Sequence, residues 1–120
     1  MDMLTQELQD LSLSLQPHFK PDFLQQERTV FQFCFNSDQP FYLIVATDRY
    51  VFQTGKADST DITLYVDAHE TAFQLLQGSK DGMQAFMDGS YRADGNIVLS
   101  QLLLYLFKPT DPTLIYEVQD

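Results

Sequence analysis

The segment Asp61–Gly78 reads Asp-Ile-Thr-Leu-Tyr-Val-Asp-Ala-His-Glu-Thr-Ala-Phe-Gln-Leu-Leu-Gln-Gly, and its period changes midway. Ile62, Leu64 and Val66 alternate with Thr63 and Tyr65, so they share one face of an extended strand. From Asp67 onward the spacing is helical. Ala72, Phe73 and Leu76 form one apolar face, and Gly78 closes the helix. Asp67 is placed to cap that helix, with Glu70 three residues on reaching back to it in an acidic version of the capping box. A strand that runs straight into an amphipathic helix points to a fold of both kinds, and the flanking sequence says how they are ordered.

Towards the N-terminus lie three more strand-like segments. Val30–Phe35 places Phe31, Phe33 and Phe35 on one face. Phe41–Ala46 is apolar on both faces, as a central strand would be. Tyr50–Thr54 follows after Asp48-Arg49, a connection short enough for a hairpin, and the polar stretch Lys56–Thr60 leads on to Asp61. At the start of the chain, Leu4, Leu8, Leu11 and Leu15 recur at helical spacing with polar residues between them. Pro17 and Pro21 end that helix. A single stripe of this kind covers the chain's own sheet or pairs with a second chain.

Towards the C-terminus, a short helix carries Met83, Phe86 and Met87 and stops at Gly89. Ser90–Ala93 is a brief strand, Asp94-Gly95 is a turn signal, and Asn96 is placed to cap a last helix running to about Phe107, before Pro109. Val98, Leu99, Leu102, Leu103, Leu104, Leu106 and Phe107 cover well over half of that helix's circumference. A helix apolar almost all round must be buried on more than one side. In a domain this small, one side is core. The other side has three candidate covers: the C-terminal segment with Leu114, Ile115, Tyr116 and Val118, a second subunit, or a bound apolar molecule. The order α-βββ-β-αα-β-α is an α+β arrangement, a five-stranded, mainly antiparallel sheet with helices on one face. It forms a single domain over residues 1–120, with an N-terminal helical segment (1–27) and a C-terminal extension (110–120).

Composition narrows the function classes. Ten Phe and six Tyr with no Trp make a core that is either well packed or hollow, because large rings leave gaps unless small side chains fill them. Seven basic against 17 acidic residues leave a net charge of −10. A surface this negative repels phosphate backbones and anionic headgroups alike, which excludes nucleic acid as a partner and limits membrane contact to the transient. One cysteine makes no internal disulfide. The opening Met-Asp-Met-Leu-Thr-Gln lacks a basic region followed by an apolar stretch, so no secretory signal is expected. The run Ile97–Phe107 is too short to span a bilayer. The expected location is the cytoplasm.

No catalytic residue, cofactor or metal site is expected. There is no Gly-x-Ser-x-Gly elbow, phosphate-cradling glycine loop or His-Glu-x-x-His. His18 and His69 lie far apart in the chain. Capping accounts for both acids beside His69, and a metal site needs three or four converging ligands. Cys34 alternates with Phe33 and Phe35 and faces away from them. With no His or Lys beside it in sequence to lower its pKa, it reads as a buried, inert thiol.

From Asp61 onward the residues also resemble the sterol carrier protein type two family, the non-specific lipid-transfer proteins. The resemblance runs through Asp61-Ile-Thr63, the helix ending at Gly78, Ala85-Phe86 with Gly89, and Gly95-Asn96 opening the apolar last helix. Less specifically, Phe31, Phe33 and the Phe41–Ala46 strand match the family's first two strands, so the match covers about Val30 to Phe107. The chain departs from the family at Gly78-Ser79 and Gly89-Ser90, where Gly-Lys is common. Its end, Val118-Gln119-Asp120, is not the Ser-Lys-Leu type of address found on some members.

The resemblance implies an α+β fold that holds a sterol, fatty acid, acyl-CoA or phospholipid between sheet and helices without chemistry. The implied ligand is an apolar, lipid-like small molecule, and the candidate lining is Phe33, Phe35, Phe73, Leu76, Phe86, Met87, Leu99, Leu102, Leu103 and Leu106. A buried methylene contributes roughly 0.8 kcal/mol, so about a dozen outweigh an association cost of roughly 4 kcal/mol or more without any polar anchor. Two other readings stand beside the carrier. One is an accessory protein that presents a hydrophobic intermediate, such as a polyprenylated quinone precursor, to a biosynthetic enzyme partner. The other is a homodimer with a filled core, joined through Leu4–Leu15 or Leu114–Val118.

Overall fold

The structure is a computed structural model and describes residues 3–20 and 27–107. Helix α1 (Met3–Leu15) is followed by a short 3-10 turn (Gln16–His18), then strands β1 (Arg28–Cys34), β2 (Phe41–Ala46), β3 (Tyr50–Thr54) and β4 (Ile62–Val66). Helices α2 (His69–Gln77) and α3 (Gly82–Met87), strand β5 (Tyr91–Gly95) and helix α4 (Ile97–Leu106) complete it. This is the expected element order. The C-terminal segment from Leu114 to Val118, a candidate cover for α4, and Pro21, a candidate helix terminator, lie outside the described residues.

The five strands lie in the order β3-β2-β1-β4-β5. The pairs β1–β2, β2–β3 and β4–β5 are antiparallel, and only the central β1–β4 pair is parallel. A hairpin cannot make a parallel pair, so the chain has to cross from β3 over the sheet to reach the far side of β1. Two polar residues fix that crossing. Gln32 is buried; its Nε2 donates to the carbonyls of Phe41 and Gly55 at 3.1 Å each, and its Oε1 accepts from the Ala57 N–H at 2.8 Å. Asp61 then aligns β4 on β1, its Oδ2 accepting from the Val30 N–H at 2.8 Å while its own N–H donates to the Val30 carbonyl at 3.0 Å.

The register brings the strands' apolar faces into line. Phe31 pairs with Leu43 and Ile62, Phe33 with Phe41 and Leu64, and Val66 with Tyr91. The helices cover this face, and Leu4, Leu8, Leu11 and Leu15 of α1 are all 4% exposed or less. Around Phe41 the core is aromatic, with ring centres 4.8 Å from Phe33, 5.6 Å from Phe35 and 5.9 Å from both Phe73 and His69.

Helix ends differ in how far the sequence anticipates them. Asn96 caps α4, its Oδ1 accepting from the Val98 N–H at 3.2 Å. Gly78 ends α2 at φ 77°, in the left-handed region that favours glycine. Asp67, by contrast, does not cap α2. The N-cap is Ala68, without a side-chain hydrogen bond. The reason is that Asp67 still belongs to the sheet: its N–H donates to the Ser90 carbonyl at 3.2 Å, extending the β4–β5 pairing, so the helix starts at His69. Cys34 faces away from the core as expected, yet it is half-buried rather than buried.

Helix α4 also departs from expectation. Leu99, Ser100, Leu103 and Leu106 are buried, whereas Ile97, Val98 and Tyr105 are 58%, 60% and 45% exposed. Its second apolar side is thus covered only in part: Leu102 and Leu104 pack against the core, whereas Ile97 and Val98 stay largely open. No helix among them is long and apolar enough to cross a membrane.

Candidate ligand cavity

A cavity of about 470 Å³ opens between the end of α2, helix α3, strand β5 and helix α4. Leu75 and Gly78 come from α2 and its cap, Gly82 and Phe86 from α3, and Tyr91 from β5. Ile97, Ser100, Gln101, Leu104 and Tyr105 come from α4, and Lys80 with Asp81 from the α2–α3 connection. Its hollowness follows from the small residues in its walls. Gly78 and Ser100 add little bulk to them. Gly82 is where α3 abuts α4, and a methyl group added there would run into the Leu104 side chain. The Ser100 hydroxyl needs no partner from the cavity, since it donates to the Ile97 carbonyl at 2.7 Å within its own helix.

Inward, the cavity narrows to a seam of about 10 Å³ between Phe33, Leu64, Val66, Leu76 and Leu103, with Leu75, Tyr91, Ser100 and Leu104 shared by both spaces. A space of that size holds about one water. Past it, the layer between sheet and helices is close-packed core. The hollow part of the molecule is thus at the α3–α4 end.

The candidate residues separate accordingly. Phe86 lines the cavity, and Phe33, Leu76 and Leu103 line the seam. Phe73 packs instead against Phe41 and His69, and Leu99 and Leu106 sit in the core. Leu102 is half-buried against that core. Met87 is 75% exposed at the end of α3. Phe35 lies on a second, more open space described below. Sequence reasoning passed over Leu75, Gly82, Tyr91, Ser100, Leu104 and Tyr105. A signal existed for two of them. Ser100 interrupts an otherwise apolar helix, and Gly82 opens α3, where the lack of a side chain lets Leu104 of α4 pack against it.

Burial of Tyr91 pushes its phenol above the ordinary tyrosine value, so it lines the cavity as a neutral group. Close by, the Ser90 hydroxyl and N–H donate to Asp88 at 2.7 and 3.2 Å and hold its carboxyl below the usual range.

The second space, about 900 Å³ and more open, lies around the ends of β1 and β4 and the start of β5. Cys34, Phe35, Lys56, Tyr65, Asp67 and Arg92 line it, and Phe86 and Tyr91 line both spaces.

Comparison with known proteins agrees with this architecture. Residues 7–108 match the model of the SCP-2 sterol transfer family. Among solved structures, the stereoselective inverting sec-alkylsulfatase from a Pseudomonas species is similar at a TM-score of 0.63 and 16% identity over 79% of this chain, which spans only 15% of that enzyme. The palmitated SCP2L2 of Aedes aegypti is similar at 0.56 and 17% identity, over 80% of this chain and 86% of that one. The ubiquinone synthesis protein UbiJ-SCP2 is similar at 0.53 and 13%, over 81% and 73%. At these identities the likeness is one of fold. No curated protein matches the chain. On the family match across most of its length and on the order of its elements, the chain belongs to the SCP-2 sterol transfer family.

Proposed function

We propose that the protein binds and carries an apolar, lipid-like molecule, a fatty acyl chain, sterol or isoprenoid, in the α3–α4 cavity, and performs no chemistry on it. The observation that carries this reading is a hollow of about 470 Å³ beside a close-packed core, in the range of small-molecule sites. Its lip adds support: Phe86, Ile97 and Tyr105 line the cavity while remaining 50%, 58% and 45% exposed. Apolar side chains held in water around a hollow gain most when an apolar guest covers them. Leu75, Leu76, Leu103 and Leu104 would form the inner wall, and Phe33 would be reached only if the seam widened. The setting is the cytoplasm, with no cofactor or metal.

A second reading is the presentation of a hydrophobic intermediate, such as a polyprenylated quinone precursor, to a biosynthetic enzyme. It is favoured by the same exposed lip, which offers a partner a surface for handover, and by the fold likeness to a ubiquinone synthesis protein. The test is organic extraction of the purified, non-denatured protein, with mass spectrometry of the extract against a mock purification. One enriched lipid class near equimolar amount is the expected result. An enriched isoprenoid quinone precursor would select the second reading. A clean extract, with no rise in melting temperature on adding fatty acids, sterols or quinones, would overturn both.

A further inference from the structure

We propose that strand β5 is an interface between two copies of this chain, which pair along their β5 edges in antiparallel register about Ala93 and continue one sheet into the other. The inference goes beyond the carrier reading and holds whatever the cavity contains. Strand β5 ends the sheet, with β4 on one side and no strand among the described residues on the other. Beside it, the Asp67 N–H donates to the Ser90 carbonyl, and the bonds of an antiparallel ladder alternate along each strand. Arg92 and Asp94 therefore bond inward to β4, while Tyr91 and Ala93 present their N–H and C=O groups to the open edge. Such an edge is a template for a further strand.

The occupant is read from the charges. Arg92 and Asp94 share the strand face opposite the buried Tyr91, with Ala93 between them, and both are exposed. Among the described residues neither is in an ion pair. In antiparallel register about Ala93, Arg92 of one copy lies directly opposite Asp94 of the other, and the two-fold axis repeats the pair. These are non-hydrogen-bonded positions, where opposed side chains come closest. The Arg92 guanidinium rests 4.7 Å over the Tyr65 ring, a contact that leaves its N–H edge available to a carboxylate. Two chains of net charge −10 repel unless the surfaces that meet are balanced, and β5 carries one cation and one acid. The opposite edge, β3, holds no charge with which to fix a register.

The apolar surroundings fit the same geometry. Phe86 and Met87 close α3 before β5, Ile97 and Val98 open α4 after it, and all four are at least half exposed. A guest in the cavity covers Phe86 and Ile97, but Met87 and Val98 do not line it. Antiparallel pairing sets the start of one β5 beside the end of the other. The end of α3 in each copy then approaches the start of α4 in its partner, and the exposed side chains cover one another. The leucine stripe of α1, an expected joining face, is buried in the chain's own core and takes no part.

The test is sedimentation velocity of the full chain, from micromolar to hundreds of micromolar, with charge reversal. The unaltered chain should show a concentration-dependent equilibrium of monomer and dimer. Arg92→Asp sets acids against acids across the axis, and Asp94→Arg sets cations against cations. Each variant alone should dimerise at least about tenfold more weakly. Mixed in equal amounts, the two variants face each other with opposite charges and should form a heterodimer about as tight as the unaltered dimer, which also verifies that both are folded. The double variant, Arg92→Asp with Asp94→Arg, should recover the homodimer. An unaltered chain that stays monomeric throughout, or a dimer indifferent to both reversals, would overturn the β5 interface. So would failure of both the mixture and the double variant to associate.

Discussion

At the β3 edge of the sheet, Phe19, Tyr50 and Phe107 interlock, with ring centres 4.7, 4.9 and 5.6 Å apart, and Phe107 is wholly buried. Tyr50 fastens this cluster to α1 by donating to the Ser12 carbonyl at 2.6 Å, and the Lys20 N–H donates to the Leu106 carbonyl at 2.8 Å. At the β5 edge, the same helix α4 turns Ser100, Leu104 and Tyr105 towards Gly78 and Gly82, and a cavity of about 470 Å³ remains. One helix thus closes one end of the molecule and leaves the other hollow. The difference lies in what faces it: rings with a hydrogen-bonded handle in the first case, glycines in the second. A Phe-rich composition is compatible with both outcomes, and this fold uses both.

The contrast can be broken most directly at its filled end. Phe107→Ala should destabilise the protein by about 3–5 kcal/mol in urea denaturation, since it empties a fully buried ring from a close-packed cluster. A cost under about 1 kcal/mol would mean that this end is as loosely filled as the other.

The hollow end can be sharpened with Gly82→Val. The new side chain must displace Leu104, and the displaced leucine takes up cavity space. The expected result is about tenfold weaker binding of a fluorescent fatty acid, some 1.4 kcal/mol, with a melting temperature close to that of the unaltered protein. Unchanged affinity would show that the ligand occupies other space.

The smallest effect is expected beside the cavity. Ser90→Ala removes the hydroxyl that holds the Asp88 carboxyl low. Because the folded value is depressed, the wild-type contribution is present above the unfolded value of about 3.9 and fades as pH falls through the folded one. The variant should therefore be slightly less stable than wild type at neutral pH and converge with it in acid. A gap that persists in acid denaturation profiles would assign the hydroxyl another role.

Much of the fold was legible because periodicity is a local property. Alternation in Ile62–Val66 and the leucine spacing in α1 correspond to the observed strand and helix, and Asn96 and Gly78 act where their chemistry suggests. The candidate lining was less legible. Phe33, Leu76, Leu103 and Phe86 do border the seam or cavity, whereas Phe73, Leu99 and Leu106 pack elsewhere, because an apolar residue on a core-facing side carries no mark that tells wall from filler.

The sequence by itself determined the order of elements, the faces they bury and the acidic balance of the chain, since all three depend on near neighbours and composition. Only the tertiary structure decided that Gln32 and Asp61 fasten the crossover, that Asp67 serves the sheet instead of capping α2, and that the hollow lies between α3 and α4. Each of these depends on residues from distant segments meeting at one point. A cavity in particular is the volume those segments fail to fill, which no single stretch of sequence encodes.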